Sequence, residues 1–344
     1  QMATTGRYYF LSRPRRFGKS LLLSTLEAYL SGKKELFRGL AIEKLEHKWE
    51  EHPILHLDLN TAKYDAMDSL NHVLDDSLKK WEEIYGTFPT EVTFALRFKG
   101  IVERAYEKTG HRVVILVDEY DTPLLEAYTR GYWDEMIATC RQIFHNAFKQ
   151  NDYYSRAIIT GVARISKNSL FSDLNNLEVD TVTCDAYADC FGFTEQEVMD
   201  ALKCQNLDKM RDVKDLYDGF IFGKQKDMYN PWSICNYIRQ GELISYWTNT
   251  SSNKLIGDII RKHPVGRKYE IEQLMSGEKV HKEINENITF QYLDGDENSL
   301  WSLLLSVGYI KAENVVHKVD TIECDVSVTN KEVMAMFRTE ILEM

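Results

Sequence analysis

Apolar runs separated by amphipathic stretches organise the first half of the chain. Arg7 to Leu11 reads Arg-Tyr-Tyr-Phe-Leu, an aromatic and apolar run suited to a short buried strand. Ser12–Gly18 follows as a loop. Lys19 to Leu30 then reads as a helix, with Leu21, Leu22, Leu26 and Leu30 on one side and Gly32 as a stop. Pro53 to Leu59 predicts a second strand. Ser69 to Tyr85 and Phe94 to Thr109 predict amphipathic helices. Arg112 to Asp118 is aliphatic almost throughout, the signature of a strand buried on both faces, as in parallel sheets. Tyr132 to Gln150 predicts a helix, and Arg156 to Thr160 another strand ending in Thr160-Gly161. Strands alternating with helices predict an α/β domain with a largely parallel sheet over residues 1–185.

Beyond it the pattern changes, and residues 186–344 are expected to form a smaller, mainly helical, winged-helix-like region. Thr194 with Glu197 three residues on forms a capping box for a helix through Lys203. Asn230-Pro231 opens another helix through Ile238, with Asn as cap and Pro in the first turn. Glu286 to Ser299 is acidic and polar and reads as a loop, Leu300 to Ser306 as helix, and the β-branched stretch Tyr309 to Val328 as strands.

The composition is that of a globular protein with a sizeable core: 344 residues, 44% hydrophobic and 28% charged. A formal net charge of −11 argues against non-specific coating of nucleic acid, which needs a basic surface, although Arg13, Arg15, Arg16 and Lys19 make one local basic patch. The six cysteines form no C-x-x-C pair and suit a reducing, cytoplasmic setting. No apolar run is long enough to span a membrane, so no membrane partner is expected. The chain starts at Gln1 within a pattern and stops at Met344, and so reads as a piece of something longer.

Chemistry concentrates in two places. Gly18-Lys19-Ser20 matches the end of the phosphate-loop pattern G-x-x-x-x-G-K-[ST], in the strand–loop–helix context it requires, although Arg13 stands where the first glycine would fall. Backbone N–H groups at a helix N-terminus hold phosphate oxygens. Lys19 adds charge at the β- and γ-phosphates, and the Ser20 hydroxyl suits Mg²⁺. With arginine at position 13, the left-handed geometry at the start of the loop is open. The second place is Asp118-Glu119, ending an aliphatic strand: the aspartate suits Mg²⁺ and the glutamate the activation of water. Together they predict a Mg²⁺–nucleotide site. His47, His52 and His56 cluster without ligand geometry, Asp58 and Asn60 read as turn residues, and Tyr229, Trp232, Tyr237, Tyr246 and Trp247 read as core.

Tyr8 through Ser20, with Arg13-Pro14-Arg15-Arg16-Phe17-Gly18-Lys19-Ser20 at its centre, closely resembles the start of the bacterial AAA-ATPase-like family. Val117-Asp118-Glu119-Tyr120-Asp121, Thr160-Gly161-Val162, Leu170 to Leu177, Tyr217-Asp218-Gly219-Phe220 and Tyr229-Asn230-Pro231-Trp232-Ser233 resemble its later blocks. That family itself carries arginine at position 13. The resemblance implies a RecA/AAA-like P-loop core, ATP and Mg²⁺ as ligands, and ATP hydrolysis. It also implies that members often continue into a restriction-endonuclease-like domain, which would lie past Met344. The loop from Arg13 through Pro14, Arg15, Arg16, Phe17, Gly18, Lys19 and Ser20 to Leu21 would hold ATP, with Ser20 and Asp118 on the metal and Glu119 as base. Thr160 matches a polar sensor position, and Arg164 would reach the γ-phosphate or act across a subunit boundary in an oligomer. Asp121 is either an acid that supports the metal-holding residues from behind or a helix cap. A rival expectation is a non-hydrolysing nucleotide switch, or a module whose C-terminal region contacts nucleic acid or protein.

Overall fold

The computed structural model describes residues 7–148, 152–164, 176–248, 266–286, 297–319 and 321–342. The chain divides into two compact units, one of residues 1–11, 19–161 and 165–179, the other of residues 12–18, 162–164 and 180–344.

The first unit is built on a five-stranded sheet of order β2-β3-β4-β1-β5, with β1 Tyr8–Ser12, β2 Ile54–Asp58, β3 Val113–Asp118, β4 Tyr154–Gly161 and β5 Leu177–Asp180. The β2–β3 and β3–β4 ladders are parallel, with Asp58 opposite Asp118 and Val117 opposite Ile159. Every residue of β3 is buried, as its unbroken aliphatic run requires. The helices are α1 Lys19–Leu30, α2 Ile42–Leu45, α3 Met67–Tyr85, α4 Phe94–Thr109, α5 Thr122–Arg130 and α6 Trp133–Phe148. Arg97 of α4 fastens α3 by bonds to Asp75 and Glu82. The boundaries predicted for α1 and α4 coincide with those observed. The buried face of α1 does not: Lys19, Leu23 and Leu30 are buried, whereas Leu21 is 70% exposed. Leucines crowd Leu21 to Leu26, so several helical stripes look apolar, and the inward turn of Lys19 selects the phase.

Helix α5 begins at the helix start that Asp121 and Pro123 suggest. It is short, and Pro123 lies in its first turn, where proline costs no hydrogen bond. Asp121 occupies its N-cap position without a side-chain capping bond. Asp58 accepts from the Asn60 amide at 2.8 Å, the turn role expected of this pair.

In the second unit, helices alternate with two three-stranded antiparallel sheets. Strands β6 Phe193–Thr194, β7 Phe220–Phe222 and β8 Gln225–Tyr229 form one, in the order β6-β8-β7. Strands β9 Val280–Ile284, β10 Ile310–His317 and β11 Ile322–Val328 form the other, in the order β10-β11-β9. The helices are α7 Glu195–Cys204, α8 Met210–Tyr217, α9 Pro231–Gln240, α10 Gly266–Met275, α11 Glu297–Ser306 and α12 Lys331–Leu342. The Thr194 capping box on α7 and the Asn230 cap on α9 are both present. The strands expected within Tyr309–Val328 are β10 and β11. The expected acidic loop falls mostly outside the described residues, and its last residues, Glu297 to Ser299, begin α11. Residues 165–175, which hold most of the Leu170–Leu177 block, also lie outside them.

Candidate functional site

In the first unit, adjacent parallel strands bring their carboxyl ends to one edge of the sheet, where ligands of open α/β sheets bind. Asp118 ends β3, and Thr160 lies near the end of β4. The Thr160 hydroxyl donates to Asp118 Oδ1 and accepts from the Glu119 amide at 3.3 Å, so this one side chain orients both acids. Asp118 and Thr160 are buried. Glu119 adopts φ 50°, a left-handed conformation uncommon for a residue with a side chain and typical of functional sites. Its carboxylate lies 3.6 Å from Lys19 Nζ and accepts from the Thr122 hydroxyl at 3.2 Å. Lys19, the first residue of α1, is 3% exposed. Gly161 is required by close approach: a Cβ there would meet Tyr120 Cε1 at 2.7 Å. Ser20 and Leu21 lie exposed in the first turn of α1.

The loop that leads into Lys19 is held within the second unit. Its left-handed residues are Arg16, at φ 66°, and Gly18, at φ 91°; Arg13 is not among them. The open question about the missing glycine therefore has a geometric answer: the turn is made later in the loop. Arg13 is instead fully buried. Its guanidinium donates to Asp180 Oδ2 at 2.8 Å, Ser12 O at 2.8 Å and Thr181 O at 2.9 Å. It also packs 5.1 Å from the Phe191 ring and 5.3 Å from the Phe222 ring. Burial pushes its pKa below the ordinary arginine value while Asp180 pulls the other way. Burial likewise raises the Asp180 carboxyl to about 6 against the opposing pull of Arg13.

Phe17 is buried, edge-on to Phe220 at 4.7 Å and Phe222 at 5.1 Å. Pro14 packs so closely on Gly308 that a Cβ on that glycine would lie 2.9 Å from Pro14 Cγ. Arg16 is exposed, its guanidinium 4.5 Å from the Trp232 ring, and Arg15 and Arg164 are half-buried.

Several of these partners carried no signal in the sequence. Asp180 ends the short Leu177-Glu178-Val179-Asp180 stretch, which carries no motif for a buried partner, and Thr122 is an ordinary helix-start residue. Trp247 and Asn230, which donate to the Arg15 carbonyl at 3.1 and 3.3 Å, are visible in the sequence only as core and as a helix cap. The three histidines remain apart in role: His56 Nδ1 lies 2.7 Å from Glu27, and His52 Nδ1 lies 2.9 Å from Arg112 O. Among the described residues no group of three or more His, Cys, Asp or Glu is arranged to hold a metal. No described helix is long and apolar enough to cross a membrane.

A parallel sheet, a loop ending in Gly-Lys-Ser before a helix, and an Asp-Glu strand end beside that lysine define a nucleotide-binding P-loop fold. Residues 1–171 belong to the AAA-ATPase-like family, whose model, described as Predicted AAA-ATPase, matches them. A curated relative from Azotobacter chroococcum mcd 1, described as an uncharacterized protein in the vnfD 5′ region, is 33% identical over 264 residues. That match covers 76% of this chain and 50% of the relative, so the chain spans about half the length of the curated relative it matches. Two solved structures from Aeropyrum pernix are also similar. The ORC2 protein (ADPNP-ADP complexes) is 10% identical, with 98% of this chain and 88% of that chain covered and a TM-score of 0.40. The ORC1 protein in complex with DNA is 12% identical, with 98% and 87% covered and a TM-score of 0.31.

Proposed function

We propose that the chain binds ATP with Mg²⁺ and hydrolyses it. The observation that carries the reading is the placement of buried Lys19 3.6 Å from Glu119, beside an Asp118 oriented by Thr160. Arg15, Arg16, Phe17, Gly18, Lys19, Ser20 and Leu21 would line the phosphates, chiefly through main-chain N–H groups. Arg13 and Pro14 would contribute by shaping the loop, since the Arg13 guanidinium is already engaged by Asp180, Ser12 and Thr181.

Mg²⁺ on a nucleotide asks for one or two protein oxygens, its other ligands being phosphates and water. The exposed Ser20 hydroxyl and the Asp118 carboxylate are hard oxygen donors of that kind. Bound there, the ion would neutralise charge on the β- and γ-phosphates. Lys19 would do the same as a point charge, Glu119 would take the proton of the attacking water, and Thr160 would hold both acids in place. Arg164 would meet the γ-phosphate in this chain or in a neighbouring copy.

Titration of the purified chain with ATP and GTP, with and without Mg²⁺, measures the first step, and Lys19→Ala should abolish binding. Glu119→Gln should retain ATP and lose turnover by roughly 10²–10⁴-fold, the usual worth of a general base. Unchanged turnover would exclude Glu119 from that role. A second reading, a switch that binds ATP without hydrolysing it, draws support from the contacts that occupy the Glu119 carboxylate, Lys19 and Thr122. ATP binding with no turnover in the unaltered protein selects it. Salt-dependent affinity for nucleic acid would separate a nucleic-acid partner of the C-terminal region from a protein partner.

A further inference from the structure

A loop that binds phosphate through its backbone must turn N–H groups inward and carbonyls outward, and each buried outward carbonyl needs a donor elsewhere. The Arg15 carbonyl has two. The Trp247 indole N–H reaches it at 3.1 Å and the Asn230 side-chain amide at 3.3 Å. A trans peptide is planar, so fixing the Arg15 carbonyl also fixes the Arg16 N–H on the opposite side of that peptide. Arg16 then enters the left-handed region at φ 66°. A left-handed residue within a turn helps to form the kind of backbone concavity that binds anions.

The two donors belong to one ring of hydrogen bonds. The Asn230 side-chain oxygen caps α9, accepting from the amides of Trp232 at 2.9 Å and Ser233 at 3.3 Å. The Ser233 hydroxyl donates to Glu332 Oε2 at 3.0 Å, and Glu332 Oε1 accepts from the Trp247 amide at 2.6 Å. Glu332 is 1% exposed. Asn230 therefore works at both ends, its oxygen accepting from the helix and its nitrogen donating to the loop. Aspartate would keep the cap and lose the donor. Serine lacks an amide to supply both.

We propose that Asn230 and Trp247 are positioning residues of the phosphate loop, which aim the Arg16 amide at bound phosphate. Nucleotide on the loop and the Asn230–Ser233–Glu332–Trp247 ring then stabilise each other. The proposal rests on the reading of this loop as an ATP site. It also gives the Tyr229-Asn230-Pro231-Trp232-Ser233 motif a purpose beyond capping α9: this helix start is the seat of the loop.

The test uses the full chain and two variants that each remove a donated bond. Asn230→Asp keeps the helix cap. Trp247→Phe keeps an aromatic ring against Phe220 and Tyr309, whose centroids lie 5.5 and 5.7 Å from the tryptophan. Calorimetric titration with Mg·ATP should show roughly tenfold weaker binding for each, the equivalent of ~1.4 kcal/mol. By reciprocity, ATP should slow hydrogen exchange at the amides of Ser233 and Trp247 in the unaltered protein, and less so in Trp247→Phe. A merely structural role would shift the melting temperature of the free protein and leave the ATP-induced protection intact. Binding and protection unchanged in both variants would overturn the proposal while leaving the ATP site standing. Absence of ATP binding in the unaltered protein would instead overturn the ATP reading and this proposal with it. If Asn230→Asp unfolds, Trp247→Phe decides between these outcomes alone.

Discussion

Replacing Arg13 by methionine removes the guanidinium and keeps much of its apolar stem. Arg13 is wholly inaccessible, and the Asp180 side chain is 9% exposed. The guanidinium makes three well-formed bonds, at 2.8, 2.8 and 2.9 Å. Taken singly, each bond to a charged group is worth ~1.5–3 kcal/mol, but the burial of both charges offsets much of that sum. What decides the net effect is the carboxylate left behind, since stranding one member of a buried pair costs about 3–5 kcal/mol. Denaturant unfolding at pH 8 should therefore show Arg13→Met destabilised by that amount. Arg13→Lys should be intermediate, because an ammonium cannot reproduce the fork.

The Arg13→Met/Asp180→Leu double variant should recover roughly 1–3 kcal/mol relative to Arg13→Met, removing the stranded charge but not the unpaired Ser12 and Thr181 carbonyls. The pH dependence gives a second check. The Asp180 carboxyl is raised to about 6 by burial even with Arg13 opposing, and without Arg13 it rises further. A group raised on folding contributes stability that is fully present below its unfolded value and is lost as pH rises through its folded value. The gap between Arg13→Met and the unaltered protein should thus be smaller at pH 5 than at pH 8. A loss under ~1 kcal/mol, or a gap that grows on acidification, would refute the argument that this buried pair holds the base of the loop.

Three further outcomes follow from the geometry. Thr160→Val removes the hydroxyl that bridges Asp118 and the Glu119 amide; it should cost about 1–3 kcal/mol in denaturant unfolding and lower any ATP turnover. Asp218 is held up at about 6, first by burial and then by Asp227. Its linked stability is full below its ordinary value and is lost through pH 6, so Asp227→Asn should relieve the repulsion at pH 8, offset in part by loss of the Lys214 contact at 3.7 Å, and the relief should vanish near pH 4. Asparagine also suits the left-handed backbone at position 227, where φ is 54°. His281 is bonded to Asp325 at 2.9 Å and Glu323 at 3.2 Å, which raise its pKa above the ordinary histidine value. Its NMR titration should have a midpoint above 6.5 that falls in Asp325→Asn.

The alternating α/β core, the edges of its long helices and the acidic and basic motifs are legible in the order of residues alone. These are readable because each depends on near neighbours: helical or extended periodicity, a capping box, a glycine before lysine and serine, an aliphatic run ending in acids. The paired use of Thr194 and Glu197, or of Asn230 and Pro231, is local in the same way. The roles of Arg13 and Asn230 emerge only from contacts between distant parts of the folded chain. Arg13 looked like part of a basic phosphate-binding patch, but Asp180, 167 residues away in the chain, turns its guanidinium inward. Asn230 looked like a helix cap and is one, yet its second bond goes to Arg15, 215 residues back. A four-residue strand such as β5, Leu177-Glu178-Val179-Asp180, is too short for periodicity to show, so nothing marked Asp180 in advance. The face expected for α1, with Leu21, Leu22, Leu26 and Leu30, is likewise not the one buried: Leu23 and Leu30 turn inward with Lys19, and Leu21 is exposed. Hydrogen-bond partners of buried polar groups are selected by desolvation and fit, which act across space, and a single chain of residue types records them only where they happen to lie close together.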